Sequence, residues 1–153
     1  MEWMALASTI VGGGIATVSA GLHERRRWKR DRGDQRIELR RNLYGTYLSG
    51  LSRARLACSV LARDPDASLS ERRKAAWDAF EPCVSLRYQI AISAPAAVVT
   101  PAENVFRRLR DLRDATAEGL LLDSNAYAIH RTDYDTALQA LRGAMRDDLG
   151  ADA

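Results

Sequence analysis

Only two histidines occur in the chain, His23 and His130, and the second keeps the company that chemistry would require. Ser124, Asp133 and Asp135 lie close to His130 in sequence. A serine, a histidine and a carboxylate brought together can relay a proton from a nucleophile, and a histidine with carboxylates can hold a divalent metal. The same residues have a structural use. Thr132 followed by Asp133 and Asp135 is the composition of a helix start, with the acids favouring the positive end of the helix dipole. Tyr127 and Tyr134 then read as packing residues. On this reading His130 is the single candidate for an unrecognised active site, and the chain is expected not to be an enzyme.

The remaining chemistry-bearing patterns are missing. There is no Walker A loop, HExxH, GxSxG or Rossmann fingerprint. The glycine run Gly12–Gly14 follows no strand and so cannot serve as a phosphate loop. His23 sits beside an arginine cluster and reads as a polar residue at a membrane edge. Cys58 and Cys83 are far apart, inside helix-like segments, and read as small core residues. No cofactor, metal or small-molecule substrate is expected.

Charge is the stronger signal. The 153 residues carry a net charge of +3, with 23 basic and 20 acidic side chains. Residues 23 to 41 hold nine Lys/Arg and four Asp/Glu, while the chain from Asn42 onward is close to neutral. The basic character is local: Arg25, Arg26, Arg27, Lys29, Arg30 and Arg32 form a collar. Three roles fit it. It can stop membrane transfer, it can bind anionic lipid head groups, or it can bind nucleic acid. Trp28 is the one aromatic in the collar, too few for a stacking platform, which counts against nucleic acid.

The elements that must carry these residues begin with Met4 to Leu22, which holds no charged residue. A helix of that length spans roughly 28 Å, close to the ~30 Å hydrocarbon core. With the collar after it, the segment reads as a transmembrane helix in the inner or plasma membrane, N-terminus outside and the following domain in the cytoplasm. Trp3 and Trp28 suit the two interfaces. Ser8, Gly12, Ala16 and Ala20 form one small-residue row and Gly13 and Gly21 lie in the adjacent row, a face for self-association or a partner's membrane helix. Val18-Ser19-Ala20 resembles a cleavage site, so secretion after signal removal is the second alternative.

Beyond the collar, apolar residues recur every three or four positions, the period of amphipathic helices. The spacing predicts a long helix from about Asp34 to Ala62, placed so that it can continue the membrane span. Ser68-Leu69-Ser70-Glu71 is a capping box for a second helix, kinked or split at Pro82 and ended by Ala94-Pro95. Thr100-Pro101-Ala102-Glu103 predicts the third start, and Thr132 the fourth. Gly119 and Gly150 stand where those helices should stop. The expected fold class is all-α: one N-terminal transmembrane helix, then an antiparallel bundle of about four helices. The divisions are an external N-terminus over 1–3, the span over 4–22, a collar over 23–36, a cytoplasmic bundle over 37–150 and a tail over 151–153.

The span, the arginine collar, the run AAWDAF and the terminal LRGAMRDDLG together resemble small membrane-anchored, single-span helical proteins of GC-rich actinobacteria. Arginine supplies 21 of the 23 basic residues, in keeping with such a genome. The resemblance is one of layout, and it implies topology and no activity. The function expected is that of a membrane-anchored, non-enzymatic interaction or scaffold protein that self-associates, with membrane lipid and a cytoplasmic protein as partners. The alternative is an electrostatic module that binds anionic lipid or nucleic acid through the collar.

Overall fold

A computed structural model describes residues 35–151. The chain divides into two units, Met1–Leu39 and Arg40–Ala153. Of the first, only residues 35–39 are described, and they are helical. The second is an all-helical bundle. Its elements are α1, the helical residues 40–61; α2, Leu69–Ser93; α3, Ala96–Ala117; and α4, Asn125–Asp148.

Each helix buries one stripe, as the apolar period requires. On α1 the stripe is Tyr44, Tyr47, Leu51, Ala54 and Cys58. On α3 it runs Val98, Ala102, Val105, Leu109, Leu112 and Thr116, and on α4 Tyr127, Tyr134, Leu138, Leu141 and Met145. Contacts between helices fix their directions. Gly50 of α1 faces Cys83 and Leu86 of α2, while the later Leu61 meets the earlier Arg72. Arg73 of α2 meets Glu118 of α3, and the later Arg87 meets the earlier Glu103. Tyr44 of α1 reaches Asp148 of α4, and the later Ser59 reaches the earlier Tyr127. These neighbours therefore run antiparallel. Tyr47 donates to the Ala102 carbonyl across the bundle, and α1 and α3 run parallel.

The helix ends follow local chemistry. At α2 the Ser68 hydroxyl accepts from the Glu71 backbone N–H and Glu71 accepts in return from the Ser68 N–H, a complete capping box. Gly119 and Gly150 adopt φ of +100° and +64°, the conformation that lets the chain turn back. Leu120 then donates to Ala115 and Gly119 to Thr116, and Ala151 to Arg146 and Gly150 to Asp147. Both helices thus close with a Schellman motif.

The end of α1 is held differently. Arg72 is only 2% exposed, and its guanidinium donates to the carbonyls of Leu61 and Ala67 at 3.0 and 3.1 Å and also to that of Asp64. Leu122 donates to the Ala62 carbonyl at 3.0 Å. A helix leaves its last carbonyls without intrahelical partners, and here a buried cation and a distant loop satisfy them.

Of the two outcomes open at Pro82, kink or split, α2 does not split: the helix runs through it, and Pro82 lies on the exposed side. Two expected helix starts are corrected. α3 starts at Ala96 rather than at Thr100, with Pro95 at the cap, because Val98 extends the buried stripe back by one turn. α4 starts after Ser124 rather than at Thr132, because Tyr127 and Tyr134 lie two turns apart on one buried face.

The membrane assignment is also corrected. A transmembrane helix, and with it a place in the inner or plasma membrane and a cytoplasmic domain, was the expectation from Met4–Leu22. Among the described residues no helix is long and apolar enough to cross a membrane. The physical reason is that every described helix turns a charged side outward, with Arg or Asp recurring along α1, α3 and α4. The segment 4–22, the small-residue face at Ser8, Gly12, Gly13, Ala16, Ala20 and Gly21, and the collar at Arg25, Arg26, Arg27, Lys29, Arg30 and Arg32 all lie outside the described residues.

Candidate functional site

The residues around His130 are not assembled for catalysis. The Ser124 hydroxyl caps α4: it accepts from the Tyr127 N–H at 3.1 Å and donates to the Leu121 carbonyl at 2.6 Å. His130 lies six residues further along the same helix, a rise of about 9 Å. Asp133 pairs with Arg108 of α3 at 3.4 Å, and Asp135 with Arg131 at 3.7 Å. Thr132 donates back to the Ala128 carbonyl within α4. Among the described residues no group of three His, Cys, Asp or Glu side chains is disposed to hold a metal. Burial pushes the Cys58 and Cys83 thiols up to about 11, so both stay protonated at neutral pH and pack as apolar groups. Burial also pushes the Tyr134 phenol up to about 12.

A different site lies between α1 and α4. A groove of about 490 Å³ opens there, with Arg55 and Arg63 from α1 and its end, and Arg131 from α4, on its walls. Among the described residues no acidic side chain lines it. Its floor is the buried pair Ser59 and Tyr127, whose hydroxyls are 2.8 Å apart. Ser59 donates to the Arg55 carbonyl at 3.2 Å, which leaves the Tyr127 hydroxyl to donate to Ser59. Both hydroxyl protons are thus in use, and the floor offers the groove no spare donor. The donors that remain are the arginines.

These arginines are weakly engaged. Among the described residues no carboxylate pairs with Arg55 or Arg63, and Arg131 has only the long contact to Asp135. Elsewhere most cations have partners: Arg40 with Asp148, Arg73 with Glu118, Lys74 with Asp78, Arg87 with Glu103. Leu56 and Leu122 are the larger apolar side chains on its lining, and Leu56 is more than half exposed. Val60, one turn beyond Leu56 on α1, and Ile129, next to Ala128 on α4, are also more than half exposed. Arginine planes beside exposed aliphatic side chains, above an inert floor, can bind a surface that is both acidic and apolar. They hold no group able to activate a nucleophile.

Against family models, curated proteins and solved structures, the chain matches none.

Arginine also does structural work at the α2–α3 seam. The Arg113 guanidinium lies over the Phe80 ring at 4.2 Å from its centroid, Phe80 meets Phe106 at 4.9 Å, and Arg87 covers Phe106 at 4.6 Å. Each cation faces the electron-rich side of a ring, an attraction of about 0.5–2 kcal/mol. Arg113 and Arg87 are therefore held within the fold, unlike Arg55 and Arg63. The sequence pattern did not single out Arg55, Arg63 or Arg131. The one signal available was the interruption of exposed arginines by Leu56, Val60 and Ile129. The groove itself needs α1 and α4 side by side, which a linear reading does not supply.

Proposed function

We propose that this bundle is a non-enzymatic interaction module that receives an acidic, apolar-faced helix of a partner protein in the groove between α1 and α4. The observation that carries the reading is the pair of arginines, Arg55 and Arg63, without carboxylate partners on a groove that no acid lines. Leu56 and Leu122 on the lining supply the non-polar part of the contact. A partner helix with Leu on one stripe and Glu beside it matches both features, the helix-in-groove mode of recognition. Arg fits carboxylates two bonds at a time, which gives the contact orientation as well as attraction.

The test is a titration of the ¹⁵N-labelled full chain with a synthetic amphipathic peptide of Leu and Glu. The expected result is saturable shifts confined to the second half of α1 and the first half of α4. Each exposed charge pair contributes up to about 1 kcal/mol, so Arg55→Glu together with Arg131→Glu should weaken binding by up to roughly thirtyfold. Shifts spread over the whole bundle, or the same affinity in the double variant, would contradict the reading.

A further inference from the structure

α2 differs from its neighbours. The apolar residues of α3 and α4 gather on one side, but α2 carries them on two. One side is the buried stripe Ala76, Phe80, Cys83, Leu86 and Ile90. The other faces outward. Trp77, Tyr88 and Ile92 are exposed there, Ile92 by 85%, and Val84 is half-buried between them. With Glu81, these residues follow each other in steps of three and four, the spacing of a seam between two helices. An apolar stripe on the outside of a bundle has no use until another helix covers it.

We propose that a second copy of this chain covers it, with the two α2 helices antiparallel about a two-fold axis passing between Val84 and Ser85. The first support is the order of residues on the face. Trp77 and Ile92 lie equally far from that point, and so do Glu81 and Tyr88. An antiparallel pairing about it sets each Trp77 on the partner's Ile92 and each Glu81 carboxylate opposite the partner's Tyr88 hydroxyl. A two-fold interface must be self-complementary in this way, because the same patch serves both sides. The second support is charge. Lys74 is paired with Asp78, and Arg73 with Glu118, so the flanks of the face are already neutralised. Of the seam residues only Glu81 is charged, and the two-fold pairing sets it opposite the partner's Tyr88 hydroxyl.

Sedimentation velocity of the full chain across a concentration series tests this, with Ile92→Glu alongside. A concentration-dependent dimer is expected, weakened at least tenfold in Ile92→Glu with its circular dichroism unchanged, since Ile92 makes almost no contact in the single chain. Ser85→Cys, next to the axis, should form a disulfide-linked dimer under mild oxidation. Gln139→Cys, on the exposed side of α4, should form one far more slowly. A dimer that survives Ile92→Glu, or equal cross-linking at both cysteines, overturns the proposal. So does a chain that stays monomeric throughout, which would pass the face to a different protein.

Discussion

Arg72 is the residue whose removal should be felt most. Its three hydrogen bonds run to carbonyls of Leu61, Asp64 and Ala67 at the end of α1 and in the following turn, where the Leu61 carbonyl otherwise has only a 3.3 Å bond from the Asp64 N–H. A hydrogen bond from a charged donor is worth about 1.5–3 kcal/mol in place. Asp64 and Ala67 lie in a turn that water can reach, whereas Leu61 is half-buried. The three bonds therefore do not count in full, and Arg72→Met should cost about 3–4 kcal/mol. Methionine keeps the aliphatic stem, so this loss belongs to the donors and not to packing. In a bundle of this size ~1 kcal/mol moves Tm by about 4 °C, and the fall should be roughly 12–16 °C. Arg72→Lys should recover less than half of the loss, since one ammonium cannot span three carbonyls. Urea unfolding of the full chain, followed by circular dichroism, measures both variants. If Arg72→Met unfolds within ~0.5 kcal/mol of the parent chain, water alone satisfies those carbonyls and the clamp explains nothing.

Two further outcomes follow from the same geometry. A Cβ at Gly45 meets nothing within 4 Å, whereas one at Gly50 would lie 3.2 Å from Leu86 Cδ1 and 3.6 Å from Cys83 Sγ. Gly45→Ala should gain about 0.5–1 kcal/mol from helix propensity, and Gly50→Ala should gain clearly less or lose stability, as read by thermal unfolding of the two single variants. Hydrogen bonds from Ser68 hold the Glu71 carboxyl below its ordinary range. A lowered folded-state value means the stabilisation is present at neutral pH and is lost as pH falls through that value. Glu71→Ala should lower Tm at pH 7, and the difference from the parent should shrink as the pH is taken below the ordinary carboxylate range.

Much of the bundle is legible in the linear order of residues because helices announce themselves by period. The stripe from Tyr44 to Cys58 and the box at Ser68 and Glu71 depend on neighbours within a few positions, as do the turns at Gly119 and Gly150. The misread starts have one cause. Thr100-Pro101 and Thr132-Asp133 each have the chemistry of a first turn, yet Val98 and Tyr127 continue the buried stripes behind them, and packing outweighs a local signal of ~1 kcal/mol. Arg72 sits in the first turn of a capped helix, where a basic residue looks exposed, and only the folded chain shows three carbonyls converging on it. The groove is hidden for the same reason, since Arg55 and Arg131 come from helices far apart in sequence. His130 looked best placed for chemistry because its surroundings resembled a loop. Once that segment is helical, its serine, histidine and acids turn to different uses.

The central claim is that the arginines between α1 and α4 select an acidic partner helix, and a charge swap tests it most directly. Isothermal titration would compare a Leu/Glu amphipathic peptide with its Leu/Lys counterpart, against the parent chain and against the Arg55→Glu, Arg131→Glu chain. The account predicts that the parent prefers the Glu peptide, that the preference reverses in the variant, and that both preferences fade with added salt. Equal binding of the two peptides by the parent chain, or an unchanged preference in the variant, would contradict it.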